Sequence, residues 1–182
     1  MRLSKVGYYA DFFVYPSLLV ALGLPALHGA SVVRHWSLAF LAGLAGWSLV
    51  EFVVHRYILH HVPPFRQLHA LHHADPTALI GTPTWLSFAI IGVGVFVPLW
   101  FEVGIDLASG ATAGLVLGYL WYVSVHHAVH RWRARPGSYL FKAKLRHAWH
   151  HRTGASCNFG VTTGWWDVIL GSARMPTTGS AI

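Results

Sequence analysis

Charge is what this sequence has least of. Only 10% of its 182 residues are Asp, Glu, Lys or Arg, where a soluble domain of average composition carries about 25%. Acidic residues are scarcer still, six against thirteen basic ones. Set beside 54% hydrophobic and 14% aromatic residues, that scarcity points to a bilayer as the solvent rather than water. Cysteine is nearly absent too. Cys157 stands alone, so an intrachain disulfide is impossible and nothing indicates an oxidising compartment; the reading preferred for it is a buried, inert thiol. The start, Met1-Arg2-Leu3-Ser4-Lys5 before an apolar run, resembles a signal peptide. No clear small-x-small cleavage site ends that run, however, and more apolar spans follow, so a retained helix is expected. The formal charge of +7 does not imply nucleic acid, because the basic residues flank apolar spans instead of forming a basic domain.

What is present is a set of four apolar segments, at about 9–27, 36–59, 83–101 and 108–125, each near the length that crosses a hydrocarbon core of roughly 30 Å. Asp11 and Pro16 interrupt the first. Lysine and arginine fall asymmetrically around them: Arg2 and Lys5 precede the first, Arg56 and Arg66 follow the second, and eight more follow the fourth. Only Arg34 lies between the first two, and the short loop between the third and fourth carries Glu102 and Asp106 with no basic residue. The positive-inside rule then puts both termini and the central loop in the cytoplasm, with Glu102–Gly110 outside. The expected fold is all-α: a single integral membrane domain over 1–182, with four transmembrane helices and a cytoplasmic histidine-rich helical cap. Tyr139–His151 is expected to be helical and closed by Gly154, and 177–182 to be frayed.

Fourteen histidines in so short a chain carry the functional argument. His28 and His35 lie in the outer loop; the other twelve lie at or after the ends of the second and fourth spans. His69, His72 and His73 share a helix face, as do His147, His150 and His151, while His126 and His130 sit one turn apart. His127 is rotated about 100° from His126 and is read, with His28, His35 and His61, as a bystander. His55 and His60 are five apart, about 140° around a regular helix, so they need different metals or a helix that ends between them. Neutral imidazole serves iron, zinc, copper and nickel alike. Ten convergent histidines exceed what one ion takes, and two ions fit. Haem would instead place single axial histidines within facing spans, and a metal carrier would place ligands near the midplane.

These residues form boxes. Glu51-Phe-Val-Val-His55-Arg56-Tyr-Ile-Leu-His60, His69-Ala-Leu-His72-His73, His126-x3-His130 and His147-Ala-Trp-His150-His151 resemble, in order and spacing, the histidine boxes of the fatty acid hydroxylase/sterol desaturase superfamily. Asn158-Phe-Gly-Val-Thr-Thr-Gly-Trp-Trp-Asp167 resembles the segment after the last box in its fatty acid 2-hydroxylase branch. The resemblance implies a non-haem dimetal centre, normally di-iron with zinc a competitor, that activates O2 and hydroxylates a lipid C–H bond. Its implied ligands are His55, His60, His69, His72, His73, His126, His130, His147, His150 and His151. Unlike eukaryotic 2-hydroxylases, these 182 residues include no N-terminal b-type cytochrome domain, so a separate electron-donor protein is expected. Glu51 is expected to hydrogen-bond a ligand imidazole or pair with an arginine, and Asp167 to make a structural hydrogen bond or support the metal. Arg131, Arg133 and Arg135, interleaved with Trp132, fit a membrane-interface anchor. The expected partners are the membrane, a lipid or fatty acyl substrate and the electron donor. A carotenoid or sterol oxidase is the alternative within the superfamily, and a non-catalytic metal-binding membrane protein the alternative outside it.

Overall fold

The computed structural model describes residues 2–153 and 156–174. Gly154 and 177–182, singled out above as a helix stop and a frayed end, lie outside them. Among the described residues there is no β-strand, and Arg2 and Ile80 form an isolated antiparallel bridge. The helices are α1 (Lys5–Tyr9), α2 (Asp11–Gly23), α3 (Ala30–Val53), α4 (Phe65–Ala74), α5 (Thr84–Ile91), α6 (Val97–Arg131), α7 (Tyr139–Arg152) and α8 (Trp165–Ile169). A 3-10 turn, Leu24–His28, follows α2. Two π-helical turns, Val54–Leu59 and Gly92–Phe96, continue α3 and α5. Three helical stretches are long and apolar enough to cross a membrane, Lys5–His28, Ala30–Leu59 and Thr84–Arg131, as a multi-pass membrane protein requires.

The chain divides into two compact units, one of Met1–Trp47 with Leu79–Leu120 and one of Ser48–Ala78 with Trp121–Ile182. In the first, Tyr15, Leu22, Ala113 and Val116 form a core flanked by Trp36, Phe40, Ile91 and Phe96. Helix directions follow from side-chain pairs. Asp11 accepts hydrogen bonds from Thr84 Oγ1 (2.6 Å) and Tyr119 OH (2.7 Å), and Tyr15 OH donates to Ser87 Oγ (2.7 Å). Helices α2 and α5 therefore run in the same sense, with Tyr119, late in α6, beside their starts. Asp11, the one acidic residue of the first apolar segment, is thus satisfied by two hydroxyls, which offsets the cost of burying it. Trp36 Nε1 donates to Leu22 O, in the last turn of α2, at 2.9 Å.

Glycines set the spacing of α3 and α6. A Cβ on Gly110 would meet Trp36 and Ala39, one on Gly114 would meet Phe40 and Leu44, and one on Gly118 would meet Trp47. The partners advance together, so these two stretches are parallel and in backbone contact, as small residues permit in membrane helices. Between α5 and that stretch the direction reverses. The expected loop at 102–107 is helical instead, interrupted at Gly104, whose φ of 81° and ψ of 168° are open to glycine without strain.

Gly114→Leu should therefore force α3 and α6 apart, because its Cβ collides with the Phe40 carbonyl and stands 2.6 Å from Leu44 N. Overpacking of this kind costs about 1–3 kcal/mol, visible as a lower unfolding temperature in detergent. Gly46→Ala, with nothing within 4 Å of the added atom, should leave that temperature unchanged or slightly raised.

Candidate metal centre

The histidines gather in the second unit. The end of α3 unwinds into the π-helical turn Val54–Leu59, and His60 follows as its capping residue. Hydrogen bonding from i to i+5 brings the fifth residue back over the first, and the His55 and His60 rings stack at 5.2 Å and 24°. The helix does end between them, as one of the two expected solutions had it, but both rings enter the same group. Helix α4 supplies His69, His72 and His73; α6 supplies His126 and His130; α7 supplies His147, His150 and His151.

Two groups result. His55, His60, His69, His73 and His150 bring one nitrogen each within 4.8 Å of one another, and so do His72, His126, His130 and His147. Each HxxHH box is shared between them rather than converging on one point. His69 and His73 face the first group and His72 the second, while His150 faces the first and His147 the second. His151 stands beside both. Its Nε2 is 3.1 Å from His147 Nε2, and its ring stacks on His73 at 4.1 Å. His127 belongs to neither group and lies 6.2 Å from the Trp132 ring. His28 Nδ1 and His61 Nδ1 bond the nearby carbonyls of Pro25 and Arg56.

The nitrogens are crowded in a way hydrogen bonding cannot resolve. His69 Nε2 is 3.1 Å from the Nε2 atoms of His55, His60 and His73, and His60 Nε2 is 3.2 Å from that of His150. A ring nitrogen has one proton or one lone pair, so His69 can satisfy one of its three neighbours at most. In the second group, His130 Nε2 is 3.3 Å from His126 Nε2 and 2.9 Å from His147 Nε2. Two nitrogens each about 2.1 Å from one ion stand about 3.0 Å apart at a right angle and about 3.4 Å apart at the tetrahedral angle. The spacings fit an ion with near-right-angle ligands, and five nitrogens fit more than four-coordination. Burial, then neighbouring histidines, pushes His60 and His72 down to about 3, His73 to about 4 and His151 to about 2, with His69, His147 and His150 also lowered chiefly by burial. These imidazoles are neutral at pH 7, as metal ligands must be.

Glu51 sits differently from expectation, while Asp167 makes the structural hydrogen bonds that were one of its two expected roles. Among the described residues Glu51 bonds neither an imidazole nor an arginine; its Oε1 accepts from the Val161 and Thr162 amides (2.7 and 2.8 Å) and its Oε2 from the Thr162 hydroxyl. Asp167 accepts from the Phe159 and Gly160 amides (2.8 Å each) and from Ser172 Oγ (2.7 Å). Four successive amides thus end on two buried carboxylates. The loop they hold turns two carbonyls towards the histidines: His55 Nδ1 donates to Phe159 O at 2.5 Å, and His150 Nδ1 to Cys157 O at 2.8 Å. Cys157 itself is buried and free. Backbone carbonyls carry no sequence signal, and the loop's part was legible only as the quoted Asn158–Asp167 segment. Arg131, expected at a membrane interface, donates to Thr77 O.

The family model described as fatty acid hydroxylase matches residues 40–172, which include every histidine of both groups. The fatty acid 2-hydroxylase of Homo sapiens is 33% identical over 142 residues, 70% of this chain and 37% of that protein. The ceramide very long chain fatty acid hydroxylase scs7 of Schizosaccharomyces pombe is 30% identical over 146 residues, 73% and 41%. The chain therefore spans about two fifths of the length of these relatives. The solved structure of scs7p, in which only the hydroxylase domain is visible, superposes with a TM-score of 0.78 at 22% identity, covering 92% of this chain and 67% of that one; the fold is shared.

His69→Ala should remove the nitrogen at the centre of the first group, and elemental analysis after dialysis should find at least one metal ion fewer than in the unaltered protein. His127→Ala should retain the full metal content. Equal loss in both variants would mean that ring position does not decide which histidines bind.

Proposed function

The chain belongs to the fatty acid hydroxylase family, and on that premise we propose that it is a membrane dimetal oxygenase hydroxylating a lipid C–H bond, at the 2-position of a fatty acyl chain. The observation that carries this reading is the pair of adjacent histidine groups, together with similarity to fatty acid 2-hydroxylases over most of the chain. The ten ligands are His55, His60, His69, His72, His73, His126, His130, His147, His150 and His151, with Glu51 and Asp167 supporting them. A redox-active pair of ions, iron in this reading, supplies dioxygen activation when bound. The overall balance is one lipid C–H bond and one O2 converted to C–OH and water, with two protons and two electrons. A separate donor protein supplies the electrons. The chain's own part is positional: its neutral imidazoles give up no proton, and the 157–162 loop orients two of them. No histidine acts as a general base.

The same reading has a single hydroxylase domain over 1–182 that crosses the membrane four times. A straight helix of 48 residues, the length of Thr84–Arg131, would measure about 72 Å, more than twice the roughly 30 Å hydrocarbon core. The reversal at Gly104 and the matched directions of α2 with α5 and of α3 with α6 support two crossings there. Basic residues then place both termini and the histidine-rich helices on the cytoplasmic side.

Expression in a host lacking 2-hydroxy lipids, followed by lipid mass spectrometry, should reveal fatty acyl chains heavier by one oxygen at carbon 2, and none with His69→Ala. Lipids without added oxygen, made by metal-loaded protein, would overturn the hydroxylase reading; oxygen at another carbon would overturn the position. Single cysteines placed in Glu102–Gly110 should react with an impermeant thiol reagent from outside intact cells, and labelling from the cytoplasmic side alone would reverse the assigned topology.

A further inference from the structure

The two histidine groups differ in how their imidazoles are held. In the first, His55 and His150 each donate Nδ1–H to a backbone carbonyl, Phe159 O and Cys157 O. A carbonyl only accepts, so both rings carry their proton on Nδ1 and present a bare Nε2. In the second, His72 has neither buried ring nitrogen hydrogen-bonded among the described residues. The buried Nδ1 of His147, in the same group, lacks a partner in the same sense, as does that of His151, which stands beside both groups. Nothing equivalent fixes the proton on those rings.

The anchors of the first group trace back to one carboxylate. The peptide unit between Phe159 and Gly160 accepts from His55 at its oxygen and donates to Asp167 Oδ2 at its nitrogen. The unit between Cys157 and Asn158 accepts from His150 and donates to Ser172 O at 3.0 Å. Ser172 is in turn bound to Asp167, by its amide to the Asp167 carbonyl (2.7 Å) and by its hydroxyl to Oδ1. Hydrogen bonds linked through peptide units polarise one another, and both anchors are tied to Asp167 in this way. Glu51, fully engaged with Val161 and Thr162, fixes the other end of the loop. Space admits no substitute at Gly160, where a Cβ would strike the Thr163 carbonyl and stand 3.1 Å from Asp167 Oδ2.

We propose that the two groups are unequal metal positions, the first binding more tightly because the protons of two of its rings, His55 and His150, are already placed, and that Asp167 and Glu51 are positioning residues for that group alone, acting through the backbone of 157–162. This rests on the dimetal reading. The full-length protein, stripped with a chelator, can be titrated with Co2+ while its visible absorption is followed. Two ions should enter in two separable steps. Asp167→Asn and Glu51→Gln should weaken the tighter step about 10- to 100-fold, the range typical for groups that orient metal ligands, and shift its absorption band, with the weaker step unmoved. Ser172→Ala, which removes one hydroxyl contact, should shift the same step by less and decides the matter should the carboxylate variants not fold. Uptake of a single ion would overturn the dimetal reading and this inference with it. Uptake of two ions in one unresolved step, or equal weakening of both steps, would overturn this inference alone.

Discussion

The second unit is organised by a conflict that imidazoles cannot settle among themselves. Their nitrogens meet at 2.9–3.3 Å, and each can offer a neighbour only one proton or one lone pair. Buried polar atoms left unsatisfied cost about 1–3 kcal/mol each, so this crowding is tolerable only where it serves something that wants several lone pairs at once. A cation does. That same demand accounts for the low proton affinity of the rings, for their burial, and for the need of a rigid frame to hold neutral groups in contacts they would otherwise relax.

The frame is mostly the segment after α7. Loops normally lie on the surface because their backbone groups need water. Here Cys157, Phe159 and Val161 are buried, and the loop survives burial because each of its amides from 158 to 162 has a protein acceptor. Asn158 takes the left-handed conformation (φ 55°), which suits asparagine, and its side chain bonds the Arg174 backbone in both directions, accepting at 2.8 Å and donating at 2.7 Å. Two buried carboxylates in a chain with only six acidic residues are thus spent on backbone, not on cations. The peptide unit that Asp167 holds at Gly160 N meets His55 at Phe159 O, while the two units held by Glu51 meet Arg146 at Gly160 O and Val161 O.

How much of this was legible beforehand depended on whether an interaction has a period. Helical content, the apolar stretches and the convergence of His126 with His130 were readable, because spacings of three and four map directly onto an α-helix. So was the placement of His127 outside both groups. The partners of Glu51 were not: it bonds residues 110 and 111 positions away, and the donors are amides that every residue possesses. The division of each HxxHH box between two groups was equally hidden. One helix face shows which rings point inward, but not which neighbouring helix each will meet.

The five-residue spacing of His55 and His60 shows the same rule from the other side. On a regular α-helix those rings would point about 140° apart, which demands different metals or a helix that ends between them. The helix does end between them, and before it ends the backbone changes period. Glu51 lies in the last regular turn of α3, four residues before His55, and reaches the 161–162 amides from there. Beginning at Val54 the winding switches to i→i+5, and His60 returns over His55. The switch has to fall after Glu51 and before His60, since earlier winding would swing the carboxylate off the loop and later winding would leave His60 facing away. A box with four intervening residues therefore records a local backbone period, as HxxxH records an α-helical one, and the spacing that looked least helical is the one that ties the end of α3 to both the loop and the first histidine group.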